Sequence, residues 1–405
     1  MNRVLSAFTL LTAALAFPAC ASTRSPETSA PVFSLAQLLE RMPPRDSIEA
    51  RWVFSSLMAM GEDSLVSICN SLGRPGTETR AEAEYALQGL ASYVTGPGRE
   101  EERLIFVSAL GKALKAVRPP EQSTFLIGRI QMAGKRESIG LLASFLNDER
   151  LCEPASQALV AIRDGADAPL LAALPASRGR GRVTLIKSLG DLRSPGAVTA
   201  LVTEAASPDT AIRTAALYAV ANIGDSRAGD VLSRAASDAT GGYRDEILSW
   251  LLLFARRQAE AGNAAGALSI AEKLYARDPA RAEDQTRAAA LALIVETKGT
   301  AAIDDLTGAM ADSSITLRSA ALRLAVRIPG RSATLRWVAL LESAANRSEI
   351  ISMLGSRGDV SAYPAVVSAL NDPGANVRAC AVDAALRLKK EEALPVLLSL
   401  LERSW

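Results

Sequence analysis

Residues 207–225 read SPDTAIRTAALYAVANIGD, and the spacing of the apolar residues in this stretch decides the fold. Ile212, Ala215, Ala216, Ala219, Val220 and Ile223 fall at i, i+3, i+4, i+7, i+8 and i+11, which places all six on one face of an α-helix. Leu317, Ala320, Ala321, Leu324, Ala325 and Ile328 repeat the pattern, as do Val377, Cys380, Ala381, Ala384, Ala385 and Leu388. Small residues occupy the middle of each stripe, so neighbouring helices can approach closely. One such helix cannot bury its face alone, and stacking is required. From Ser34 onward helical patterns alternate with Gly, Pro or Asp punctuation, without a sustained period-two strand. The chain is expected to be all-α.

Sliding the sequence along itself sets the register. Gly134, Gly165 and Gly190 recur as Gly299, Gly330 and Gly355, each 165 residues later, while Ala155 meets Ala320, Arg213 meets Arg378 and Ala216 meets Ala381. Five units fit in 165 residues, about 33 residues each, which accommodates two helices of about 13 residues and their turns. Ser207 to Ala216, followed by Asn222-Ile-Gly224-Asp225, and Asn371 to Ala381 resemble the short bacterial HEAT repeats described as HEAT-like or PBS-lyase-like. The resemblance extends over roughly residues 120–405 and implies an α-solenoid of HEAT-like helical hairpins. It further implies a ladder between successive repeats, built on an aspartate six residues before an arginine: Asp312 with Arg318, and Asp372 with Arg378. Arg213 holds the ladder position of the first block, where Ser207 and Glu153 break the series.

Residues 239–298 carry Ala255, Gly262, Ala267, Leu274 and Asp278-Pro279, which resemble half of a TPR signature, with Leu251 and Gln258 where its Trp and Tyr stand. The expected organisation is a signal segment at 1–20, a flexible tether at 21–33, degenerate capping repeats at 34–133, a first block at 134–238, a TPR-like insertion at 239–298 and a second block at 299–405.

Composition narrows the chemistry. Hydrophobic residues make up 49% of the chain but aromatics only 4%, which favours small-residue helix packing over large anchored cores. The chain has no histidine, so nucleophiles activated by imidazole and His-ligated zinc are excluded. Its net charge is +1, which makes nucleic acid and anionic membrane poor default partners.

Arg3 precedes an apolar run from Val4 to Phe17, long enough for a secretory h-region and too short to span a bilayer. Two processing readings are open. Phe17-Pro18-Ala19-Cys20 resembles a bacterial lipobox, although Phe17 departs from its aliphatic preference, and Ala19-Cys20-Ala21 fits ordinary signal peptidase. Lipidation of Cys20 is the expectation, because Cys20 ends the apolar run and Ala21 to Pro31 reads as a polar tether. Localisation is then the periplasmic face of the envelope, with the membrane reached only through the lipid; plain periplasmic release is the alternative.

Short motifs carry little chemistry. Gly224-Asp225-Ser226 reads as a helix C-terminal turn, Arg178-Gly-Arg180-Gly-Arg182 as a permissive inter-helix loop, and Arg357-Gly358-Asp359 as turn residues. Ser-x-x-Lys, Gly-x-Ser-x-Gly and phosphate-loop patterns are absent. Cys69, Cys152 and Cys380 read as buried structural thiols, and Trp250 as core. No catalytic, cofactor or metal-binding residue is assigned.

The function expected is a non-enzymatic scaffold that binds another envelope protein along a concave face. A bilin-lyase-like enzyme or accessory factor and a cell-wall polymer binder are the alternatives. In HEAT-type stacking the second helix of each pair lines the concave side. Its off-stripe arginines Arg323, Arg327 and Arg387 form a cationic ridge that would suit an acidic segment of the partner, since guanidinium groups pair bidentately with carboxylates. Lipidation is directly testable: labelled fatty acid is expected to enter the wild type and to be lost in Cys20→Ala. Equal membrane release of the two forms would replace lipidation by plain secretion.

Overall fold

The structure, a computed structural model, describes residues 33–73, 78–116, 118–276, 284–342 and 344–403, and every regular element among them is helical. The signal segment, Cys20, the tether up to residue 32 and Asp278-Pro279 lie outside the described residues.

The helices form two rows. One row consists of Ser47–Ala59, Glu78–Val94, Pro120–Ala133, Cys152–Ile162, Gly179–Asp191, Thr210–Ile223, Gly241–Glu260, Asp284–Lys298, Ile315–Ala325, Arg347–Arg357 and Ala375–Lys389, each packed on the one before it. Shorter helices such as Glu62–Asn70, Val198–Glu204, Ile303–Met310 and Tyr363–Ala369 alternate with these along the chain and make the other row. Contacts run between near neighbours in sequence, as a solenoid of helical hairpins requires. The helices within 239–298 take successive places in the same two rows, with Ala264–Tyr275 between Gly241–Glu260 and Asp284–Lys298.

Local chemistry explains the boundaries. Asp209 caps Thr210–Ile223 by accepting hydrogen bonds from the N–H groups of Ala211 and Ile212, and Gly224 ends it in the left-handed region at φ 75°. A side chain at Gly224 would be strained by that backbone and would also strike Arg257, whose Cβ lies 2.2 Å from where a Cβ would stand. Asp225 accepts from the Arg227 N–H and starts the next turn, so Gly224-Asp225-Ser226 is the helix-ending turn that the sequence indicates.

The apolar stripes form the core: Ala215, Ala216, Ala219 and Val220 are buried, as are Leu317, Ala320, Ala321 and Ala325, and Ala381, Ala384, Ala385 and Leu388. Burial runs as one large cluster from Leu38 to Ala290 and a second from Leu291 to Ala393, which meet within Asp284–Lys298, where a small third cluster of Ala255, Ala271, Leu293 and Ile294 also lies. Two backbone-to-backbone contacts repeat at the 165-residue offset. A Cβ added to Gly190 would lie 2.8 Å from Cα and Cβ of Ala219, and one added to Gly355 would lie 2.7 Å from the same atoms of Ala384. Successive second helices therefore meet backbone to backbone at these two points.

Replacing Gly by Ala inside a helix ordinarily gains up to about 1 kcal/mol. At Gly355 the sign is expected to reverse, with Gly355→Ala losing about 1–3 kcal/mol by overpacking. Hydrogen exchange should quicken across residues 347–389 and remain slow across 152–223, because coupling in a repeat array runs mainly to neighbours. Ala216→Pro and Ala381→Pro, each in a helix interior, are expected to cost about 3 kcal/mol or more in urea unfolding. A stabilised Gly355→Ala would contradict the close contact.

Candidate partner-binding face

The ladder arginines find acceptors other than those the spacing indicates. Arg213 donates to the main-chain carbonyls of Ser207 at 2.8 Å and Pro208 at 3.2 Å, Arg318 to those of Asp312 and Ser313 at 2.8 and 2.9 Å, and Arg378 to those of Asp372 and Pro373 at 2.8 and 2.9 Å. Each guanidinium thus ties its helix to the turn preceding it. Because the acceptor is main chain, Ser207 serves as well as Asp, and the first block is unbroken at this point.

The carboxylates of Asp312 and Asp372 are taken from the preceding repeat instead. Arg287 donates to Asp312 at 2.7 Å, and Arg347 lies 3.3 Å from Asp372. Arg182 pairs with Glu204 in the same sense, with its Nε 2.8 Å from Oε2. The true rungs join the start of one second helix to the turn of the next repeat. Arg287 holds the Asp312 carboxyl below the usual carboxylate range, mainly by that hydrogen bond. Arg318 also stands 3.9 Å from Glu349, an ionic contact too long for a hydrogen bond.

Other motifs resolve into structure. The Arg178–Arg182 run is the beginning of the helix Gly179–Asp191 and not a free loop, with Arg180 2.7 Å from Glu153. Arg357 donates to the carbonyls of Ala325 and Gly330 and to Thr334, while Asp359 accepts from Thr334 and Ser361, so the Arg-Gly-Asp tripeptide staples neighbouring repeats. Trp250 is buried, with its ring edge-on to Tyr218. Asn222 is buried as well, donating to the Gly190 carbonyl at 3.0 Å and accepting from Arg257.

Of the three arginines read as a ridge, Arg387 is engaged: its Nε lies 2.8 Å from Asp383, and its Nη1 is 3.3 Å from Ser356 Oγ. The helix Arg347–Arg357 separates it from the other two along the row. Arg323 and Arg327 are exposed, and among the described residues neither has a hydrogen-bonding or ion-pair partner. Both border a depression of about 340 Å³ between Asp284–Lys298 and Ile315–Ala325, lined by Gln285, Ala288, Ala289, Ala292, Ala320 and Leu324. Glu296, on the facing helix, is 3.7 Å from Arg256. Spacing on Ile315–Ala325 pointed to the two arginines, but the alanine wall opposite them was missed. Residues 288–292 read Ala-Ala-Ala-Leu-Ala, a visible signal whose outward face only the packing specifies.

Larger crevices of about 710 and 660 Å³ occupy corresponding inter-repeat corners, one bordered by Asp148, Glu149, Arg178 and Arg180 and the other by Asp312, Arg318, Asn346 and Glu349. Both are mixed in charge, and Arg180, Asp312 and Arg318 are already engaged. Among the described residues no helix is long and apolar enough to cross a membrane, and no cluster of three Cys, Asp or Glu could hold a metal ion.

A model of HEAT repeats matches residues 167–251 and 334–405. The chain carries HEAT repeats. The first HEAT match continues through Leu251, into the segment whose residues resemble a TPR signature. Similar solved structures include a chain from a study of a phosphorylation switch that controls the interaction between cadherin and beta-catenin, at 10% identity over 88% of this chain and 91% of that one, with a TM-score of 0.34. Another is the karyopherin Kap121p bound to the extreme C-terminus of the protein phosphatase Cdc14p, at 12% identity over 91% of this chain and 48% of that one, with a TM-score of 0.47. No curated protein matches the chain.

The cysteines separate by depth. Cys69 and Cys152 are buried, whereas Cys380, read from its stripe position as buried, is half-buried, because it lies on the first turns of the last long helix, where neighbouring Arg378 and Ala379 are exposed. Burial pushes the Cys69 thiol up to about 12 and raises that of Cys152 as well. A thiol-reactive probe at pH 8 is expected to label Cys380 first and to reach Cys69 and Cys152 only on unfolding, since the thiolate is the reacting form. Mass mapping of labelled peptides checks this order, and fast native labelling of Cys69 would contradict its packing.

Proposed function

We propose that this chain is a non-enzymatic HEAT-repeat scaffold of the bacterial envelope, held to the membrane by a lipid on Cys20, that binds an acidic segment of a partner protein. The observation that carries the reading is the pair Arg323 and Arg327, exposed and without a partner among the described residues, beside an alanine-lined depression on the row of second helices. Arg318 is engaged by main-chain carbonyls, Arg387 by Asp383 and Arg357 by carbonyls, whereas Arg331, exposed at the start of the next helix, has no partner among the described residues and lies outside the lining of the depression. Two charges left without structural work, on the row that lines the concave side in HEAT stacking, suit carboxylate recognition. The absence of histidine supports a binding role over an enzymatic one. The envelope assignment rests on the h-region and Cys20.

Crosslinking in intact cells followed by recovery of the chain tests the reading. Arg323→Glu with Arg327→Glu is expected to abolish salt-sensitive partner recovery while changing stability by no more than about 0.5 kcal/mol, as surface substitutions do. Arg387→Glu, which replaces an arginine already paired with Asp383, is expected to retain most of it. Undiminished recovery with the double variant would return both arginines to ordinary surface.

A further inference from the structure

The depression beside Arg323 and Arg327 also constrains the conformation of its occupant, an inference that rests on the reading of these two residues as a partner site. Ala288, Ala289, Ala292 and Ala320 present methyl groups, and the polar side chains at the edge are Gln285, Arg323 and Arg327. Both walls are α-helices, whose mid-helix N–H and C=O groups bond to one another. An extended segment laid here would bring its own unpaired N–H groups against alanine, where Gln285 is the one lining side chain with an oxygen to accept from them, since arginine only donates. A helical segment arrives with its main chain already bonded, and its side-chain ridge fits a groove between two helices.

The first block supplies a contrast along one wall: at the 165-residue offset a buried Ala158 and a half-buried Ile162 stand where the exposed Arg323 and Arg327 do, so the cationic edge is not an automatic product of the repeat.

We propose that this groove docks an acidic amphipathic α-helix of the partner, with two carboxylates one turn apart on Arg323 and Arg327 and small side chains on Ala288, Ala289 and Ala292. Residues four apart on the ligand helix stand about 6 Å from each other, a span that suits Arg323 on the last turn of Ile315–Ala325 and Arg327 two residues beyond its end.

The test uses the full chain and a fluorescent alanine-based peptide of about 18 residues, long enough to be helical, with glutamate pairs at i and i+4 on one face. A second peptide keeps the glutamates and carries two internal prolines. The helical peptide is expected to bind at least about tenfold tighter than the proline peptide in fluorescence anisotropy, a difference of about 1.4 kcal/mol. Arg323→Glu/Arg327→Glu and, separately, the groove-filling Ala289→Leu are each expected to weaken helical-peptide binding by about tenfold or more. Ala289 is exposed, so circular dichroism and the melting midpoint of its variant should match the wild type. Equal affinity for the two peptides would overturn the helical assignment and leave the acid-binding reading intact. Full affinity in a folded Ala289→Leu would remove the groove as the seat, and no binding of either peptide would overturn both readings.

Discussion

Close approach of successive second helices is the constraint on which the rest of the array depends. Gly190 meets Ala219, and Gly355 meets Ala384, with no room for even a methyl on the glycines. At that separation many weak dispersion contacts accumulate along two backbones, which compensates for side chains that are individually small. Polar groups on one helix can then reach the main chain of the next. Asn222 reaches the Gly190 carbonyl and Arg357 that of Ala325. The low aromatic content follows the same logic, since rings in mid-stripe would hold the helices apart. The most deeply buried rings, Phe106, Phe254 and Trp337, are not among the groups nearest these two glycines.

Bringing helix ends together creates a second requirement, because turns between short helices leave main-chain carbonyls without partners. Arginine meets it repeatedly: Arg213, Arg318 and Arg378 bind the turns that precede them, Arg103 binds the Ala133 carbonyl, and Arg118 binds that of Cys69. A guanidinium presents five donors in a fixed fork, so it can hold a turn and meet a carboxylate at the same time. Arg103 does both, with Glu100 and Glu137 around it, and it holds the Glu100 carboxyl down to about 2. Function is then to be sought in what the scaffold leaves over. Arg323 and Arg327 are such a remainder, at the helix pair just beyond the seam where the two buried clusters meet.

Much of the architecture was determined by the sequence alone. A stripe with helical period must be buried against something, and small residues in its middle require that something to be another helix. The 165-residue recurrence of Gly134, Gly165 and Gly190 set the register of the two blocks, but that only Gly190 and Gly355 of these pairs mark a close approach of two helices came from the packing. Part of the site was legible too: Arg323 has Ser319 and Arg327 at four residues on either side, whereas Arg387 has Asp383 one turn before it. Tertiary structure alone decided where each arginine found its acceptor. A long flexible side chain can reach a main-chain carbonyl as readily as a carboxylate, so a six-residue Asp–Arg spacing could not distinguish Arg318 bound to its own turn from Arg318 bound to Asp312. It also took packing to place Ala288, Ala289 and Ala292 opposite Arg323 and Arg327, because the angle at which one helix settles on the next selects the faces that meet, and that angle is set by contacts summed over both helices, which no single stripe encodes.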